Sequence, residues 1–238
     1  YRDRRQRQMC IRDSSSSDVM TINGTVTKTF LSLCLVVISG YYSWINISIT
    51  NVLILPAIFV ALILGGVTIY KKHLSPITVP IYAVIQGIFL GAISYTFNSL
   101  YDGIVITAIS YTLSILFVML TLYRTGIIKP TENFKLGVAA GTGGIALIYL
   151  ANFVMSFFGT GLSIMDINNA SMYSIGFSLL VIVMASLNLV VDFDFIEEGS
   201  EKRAPKYMEW YGAFGLLVTL IWLYLEILRL LAKMNSRK

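Results

Sequence analysis

Four carboxylates close one apolar run of this chain: Asp192, Asp194, Glu197 and Glu198, within SLNLVVDFDFIEEG at Ser186 to Gly199. A fifth, Glu226, stands inside another apolar run, WLYLEILRLL. An ionised acid in or beside hydrocarbon costs roughly 3 kcal/mol on insertion scales, so acids placed there mark ion and proton pathways. Asn188 and Asp192 are four apart and share one helical face, while Asp194 is turned away from it. Glu226 has Arg229 three residues on, which permits a local ion pair; a second reading points Glu226 inward, to meet Asp192 or water. Asp194, Glu197 and Glu198 equally suit a solvated helix end among headgroups.

The elements that must position these acids are long and apolar. Of 238 residues, 56% are hydrophobic and only 13% charged, against about a quarter charged in an ordinary soluble domain. Apolar stretches run over Thr27–Trp44, Val52–Tyr70, Val79–Asn98, Gly103–Tyr123, Leu136–Phe158, Met172–Asp194 and Tyr211–Leu231. Each is near the ~20 residues that cross ~30 Å of hydrocarbon as a helix. None alternates strictly between polar and apolar, as barrel strands do. The expected fold is an all-α membrane protein of about seven transmembrane helices, forming a single domain over residues 21–238. Residues 1–20, opening YRDRRQRQMCIRDSSSS, are expected to be a disordered or artefactual leader.

Basic linkers set the expected orientation. Lys71 and Lys72 follow the second apolar stretch, Arg124, Lys129 and Lys135 the fourth, and Lys202, Arg203 and Lys206 the sixth. The linkers after the first, third and fifth hold no Lys or Arg. The positive-inside rule then puts the N-terminus in the cytoplasm. Seven crossings leave Lys233, Arg237 and Lys238 outside, against that rule, yet Tyr211–Leu231 is long enough to span. Gly87 and Gly91, and Gly137 and Gly141, form small-xxx-small pairs suited to close helix packing.

Several functions are excluded or disfavoured. The net charge of +5 is scattered between apolar runs rather than gathered on one face, so no nucleic-acid surface is expected. Cys10 and Cys34 make no disulfide framework, and one histidine, His73, makes no zinc site or Ser-His-Asp arrangement. GVAAGTGG at Gly137 lacks the lysine of a phosphate loop. No enzyme activity and no organic cofactor are expected.

The Asp192 segment, followed by APKYMEWYGAFGLLVTLIWLYLEILRLL, resembles the last two helices of the Bax inhibitor family, the YccA-like membrane proteins, in a bacterial branch. That family carries an acid in its sixth helix and another in a Leu-Tyr-Leu-acid pattern in its seventh, here Leu223-Tyr224-Leu225-Glu226. The resemblance implies a bundle around the last helix and a pH-sensitive calcium-leak channel in the bacterial inner membrane. It also implies that Asp192 and Glu226 form a carboxylate pair that senses protons and can bind Ca2+. Two carboxylates a few ångströms apart titrate as a unit, and calcium takes hard oxygen ligands. The intervening APKYMEWYGA leaves Glu209 and Asp194 as rival partners of Asp192. A basic latch on the first acid would fall to Lys71, Lys72 or His73. The alternative is a non-conducting regulator that binds a membrane protease or another membrane protein; a proton-coupled transporter is a third reading.

Overall fold

A computed structural model of the chain describes residues 19–236. Most of the leader, with Cys10, and the terminal Arg237 and Lys238 lie outside the described residues. Within them the secondary structure is helical: α1 Ile22–Ile45, α2 Ile47–Tyr70, α3 Ser75–Leu100, α4 Ile104–Arg124, α5 Glu132–Phe157, α6 Met172–Glu201 and α7 Met208–Asn235. All seven hold a span long and apolar enough to cross a membrane. Short 3-10 turns at Lys72–Leu74 and Ser163–Met165 interrupt two linkers. Several helices run past the apolar windows, because capped polar ends continue the same backbone hydrogen bonding. Thr21 caps α1, its hydroxyl accepting from Gly24 N–H at 3.0 Å, and Thr131 caps α5 at Phe134 N–H. Either hydroxyl satisfies a donor that the first helical turn leaves without a partner.

Hydroxyls inside the spans turn inward on their own backbone. Thr29 donates to Thr25 O at 2.9 Å, Thr68 to Leu64 O at 2.7 Å, and Thr112 to Ala108 O at 2.8 Å. This one-turn back-bond hides a polar group where lipid offers no partner. Large apolar side chains such as Phe30, Leu55, Phe59 and Phe117 are exposed, as lipid-facing positions of a membrane span are. Burial is greatest in α7 and α3, where 56% and 50% of the most apolar window is enclosed, against 11% in α1 and in α5.

The described residues pack as two compact units, one made of 19–92 with Asp194–Leu217, the other of Ile93–Phe193 with 218–236. Helices α6 and α7 each contribute to both. In the first unit, α1 and α3 approach closely. A Cβ on Gly91 would strike the Gly40 carbonyl, and one on Gly87 the Val36 carbonyl and the Ser39 hydroxyl. The small-residue pair of α3 is therefore a packing surface, as its spacing suggests. The pair in α5 is only half so: Gly141 meets Met184, while Gly137 faces open space. Val19 and Met20, assigned to the leader by sequence, belong to the fold. Met20 N–H donates to Ala204 O at 2.7 Å and its side chain is buried beside Gly199.

Candidate functional site

The polar groups of the second unit gather along one stripe of α7. Thr219, Glu226 and Lys233 follow one another at intervals of seven residues, close to two full turns and about 10 Å of rise each. Every one of the three is buried. Each meets polar groups from another part of the unit.

At the first level, Thr219 donates its hydroxyl to Asp192 Oδ2 of α6 at 2.6 Å. Asp192 is half-buried. Asn188, one turn earlier on the same face, donates to Thr142 Oγ1 at 2.6 Å and to Met184 O at 2.9 Å. The shared face of Asn188 and Asp192 that the spacing predicts is thus turned into protein, not into headgroups.

At the second level, Glu226 is 1% exposed. Its Oε2 accepts from Tyr149 of α5 at 2.6 Å and from Arg229 at 2.6 Å. Arg229 also donates to the Tyr149 hydroxyl at 3.1 Å, and its guanidinium lies 5.4 Å from that ring's centre. The local Glu226–Arg229 pair is therefore present, and Glu226 also points inward. Its other oxygen, Oε1, is buried without a hydrogen-bond donor among the described residues.

The structure does not bring Asp192 and Glu226 together through a hydrogen bond. Thr219, which holds Asp192, precedes Glu226 by two turns, so the carboxylates occupy successive levels of one stripe, about 10 Å apart along the axis. The physical reason is register: residues 208–213 of the intervening APKYMEWYGA belong to α7, so Glu226 falls two turns beyond the residue that faces Asp192. Sequence reasoning missed Thr219 and Tyr149; the tyrosine within GIALIYLANF was the available signal, since a buried phenol needs a partner.

At the third level stands Lys233, placed by sequence just past the last apolar stretch. It is 0% exposed and donates to Ile164 O at 2.9 Å, Ser178 Oγ at 3.1 Å and Ser174 O at 3.3 Å.

In the first unit the acids behave differently. Glu209, at the start of α7, is buried and accepts from Thr21 N–H at 3.0 Å, from the Thr21 hydroxyl at 2.9 Å and from Lys28. Its position against α1 requires Gly24, where a Cβ would collide with the carboxylate. As a rival partner for Asp192, Glu209 is already occupied by Thr21 and Lys28. Asp194 and Glu198 are half-buried and Glu197 is exposed; all three take part in polar contacts, that of Glu198 being with Lys202. The candidate latch residues Lys71, Lys72 and His73 are exposed, and the Lys72 ammonium lies 5.0 Å from the centre of the Tyr211 ring. Among the described residues no three His, Cys, Asp or Glu side chains gather as a metal-holding group.

Seven apolar helices with acids and a lysine folded into their interior define a multi-pass helical membrane protein. A protein-family model described as Bax inhibitor 1 like matches residues 2–236, and the chain belongs to that family. No match was found among curated proteins.

Proposed function

We propose that the chain is a proton-sensitive calcium-leak channel of the bacterial inner membrane, with Asp192 and Glu226 as successive stations for the ion. The observation that carries this reading is Asp192. It is an acid in the wall of a membrane bundle whose one hydrogen-bond donor is a neutral hydroxyl, with no cation against it among the described residues. An acid without a fixed counter-ion can exchange a proton or meet a passing cation; Glu226, paired with Arg229, is less free to do either. Ionised Asp192 offers a hard oxygen to calcium, and its protonation withdraws that charge. Leak should therefore fall on acidification. Among the described residues the group against Asp192 is Thr219 on α7; Glu226, Arg229 and Lys233 lie about two, three and four turns further along that helix. Calcium is cargo here; among the described residues no three-acid site gathers to hold it.

The basic linkers before α3, α5 and α7 support a cytoplasmic N-terminus. At ~1.5 Å per residue, the 28 residues of α7 suffice for a full crossing. The two ends of α7 also meet different linkers. Tyr207, just before the helix, accepts from Ser75 at the start of α3, and Lys233 donates to Ile164 in the linker after α5.

The test is calcium flux into dye-loaded proteoliposomes between about pH 6 and 8, bracketing the range where a perturbed carboxyl titrates. Native protein should leak more at the alkaline end. Asp192→Asn should abolish that dependence, with leak at the alkaline end lowered on the order of tenfold, the effect of one charge near the path. An equal pH response in Asp192→Asn would overturn the reading, and absence of flux under every condition would favour a non-conducting regulator.

A further inference from the structure

A buried ammonium usually has a carboxylate against it, because its desolvation is otherwise uncompensated. Lys233 has none within hydrogen-bonding distance among the described residues. Its three N–H donors are taken by neutral oxygens: Ile164 O, Ser174 O and Ser178 Oγ. Glu226 and Arg229 on α7 and Asp166 in the loop act on it only at longer range. Three converging oxygen dipoles that hold a dehydrated cation are the arrangement by which channels replace an ion's water shell.

This cage is also built without the lysine. Ser174 Oγ donates to Ile164 O at 2.9 Å and fixes that carbonyl. The loop bearing Ile164 is tied elsewhere as well. Asn152 Oδ1 accepts from Leu162 N–H at 2.8 Å, and Asn169 Nδ2 donates to Ser163 O at 2.9 Å and to Ser163 Oγ at 2.8 Å. The remaining two oxygens are one turn apart on α6. A cage whose members are held by other bonds remains a cage when its occupant is removed.

We infer that Ile164 O, Ser174 O and Ser178 Oγ form a cation site, selective for a hydrogen-bonding cation of ammonium type, which Lys233 fills as a tethered ligand. The site stands independently of conduction. Its consequence for transport rests on the leak reading: a lysine held there stops that end of the α7 stripe.

The direct probe is methylammonium chloride on purified protein in detergent, with tetramethylammonium chloride, which has no N–H donor, as control. In Lys233→Ala, methylammonium should raise the thermal unfolding midpoint by a few degrees, while tetramethylammonium should not. Native protein, its cage filled, should respond to neither. No shift in the variant, or an equal shift in native protein, would overturn the site. If Lys233→Ala does not yield folded protein, Ser178→Val reads the same cage with the lysine kept. Lys233 should then become open to acetylation by acetic anhydride, seen by mass spectrometry, whereas native Lys233 should be protected; equal labelling in both would overturn the site. In proteoliposomes Lys233→Ala should leak on the order of tenfold more, a barrier lower by about 1.4 kcal/mol, and methylammonium should suppress the excess. A methylammonium shift with no flux in either protein upholds the cage and overturns the leak reading instead.

Discussion

Glu209 in one unit and the Asp192–Glu226 stripe in the other show two ways of placing acids in a membrane bundle. Glu209 is closed off: a backbone N–H, a hydroxyl and an ammonium all converge on it, and Gly24 lets the carboxylate lie against α1. The stripe is left partly open. Asp192 has one hydroxyl, and Glu226 keeps an oxygen with no donor among the described residues. The same chemical group is a structural clasp in the first case and a less fully satisfied acid in the second. The number and charge of the donors decide which.

The sharpest way to break this contrast is to remove the clasp. Glu209→Ala strands a half-buried Lys28 and two capping donors of α1. It should cost about 3–5 kcal/mol, the usual penalty for breaking a buried pair from one side. Lys28→Met added to Glu209→Gln should recover part of the loss, because no unpaired charge then remains. Reversible unfolding in mixed micelles measures both. If Glu209→Ala costs no more than 1 kcal/mol or so, the clasp is a surface-like pair and the comparison fails.

A smaller effect is expected at the second level of the stripe. Tyr149→Phe removes a phenol donor from Glu226 but leaves Arg229 in place. The carboxylate stays paired, so the expected cost is about 1–2 kcal/mol, in the range of a hydrogen bond to a charged group. A loss as large as that for Glu209→Ala would mean that Glu226 is as closed off as Glu209. The two oxygens of Glu226 would then have to be regarded as equivalent.

Much of this architecture was legible in the sequence. Seven spans followed from hydropathy, because lipid forces apolar runs of that length into helices. The shared face of Asn188 and Asp192, though not its direction, followed from their four-residue spacing, and the Glu226–Arg229 pair from a three-residue one. What was not legible depended on register between helices. Asp192 meets Thr219 rather than Glu226 because of how far α7 slides along α6. That offset is set by packing, which has no short-range signature. Lys233 was hidden for a related reason. A lysine near a helix end usually snorkels to water; here one oxygen from the Ile164 loop and two from α6 meet it instead. Tyr149 and Lys28 are contributed by helices distant in sequence from the acids they serve.

The smallest expected effect is also the most discriminating. Thr219→Val removes the one donor on Asp192 among the described residues while keeping the side chain's shape. A hydrogen bond to an ionised carboxylate is roughly twice as strong as one between neutral groups. The loss of stability should therefore depend on pH, about 1 kcal/mol in alkaline buffer and less in acid, where Asp192 carries a proton. The sign follows from the bond itself: the hydroxyl favours the ionised form, so its removal matters only while that form is populated. Glu209→Ala, by contrast, removes the partner of an N–H, a hydroxyl and an ammonium at once, and should cost more than Thr219→Val at either pH. Unfolding curves at two pH values for both variants test the point. If the Thr219→Val penalty is independent of pH, Asp192 does not exchange its proton in the folded protein. The two regions would then differ in how many donors they hold and not in what those donors leave free to happen.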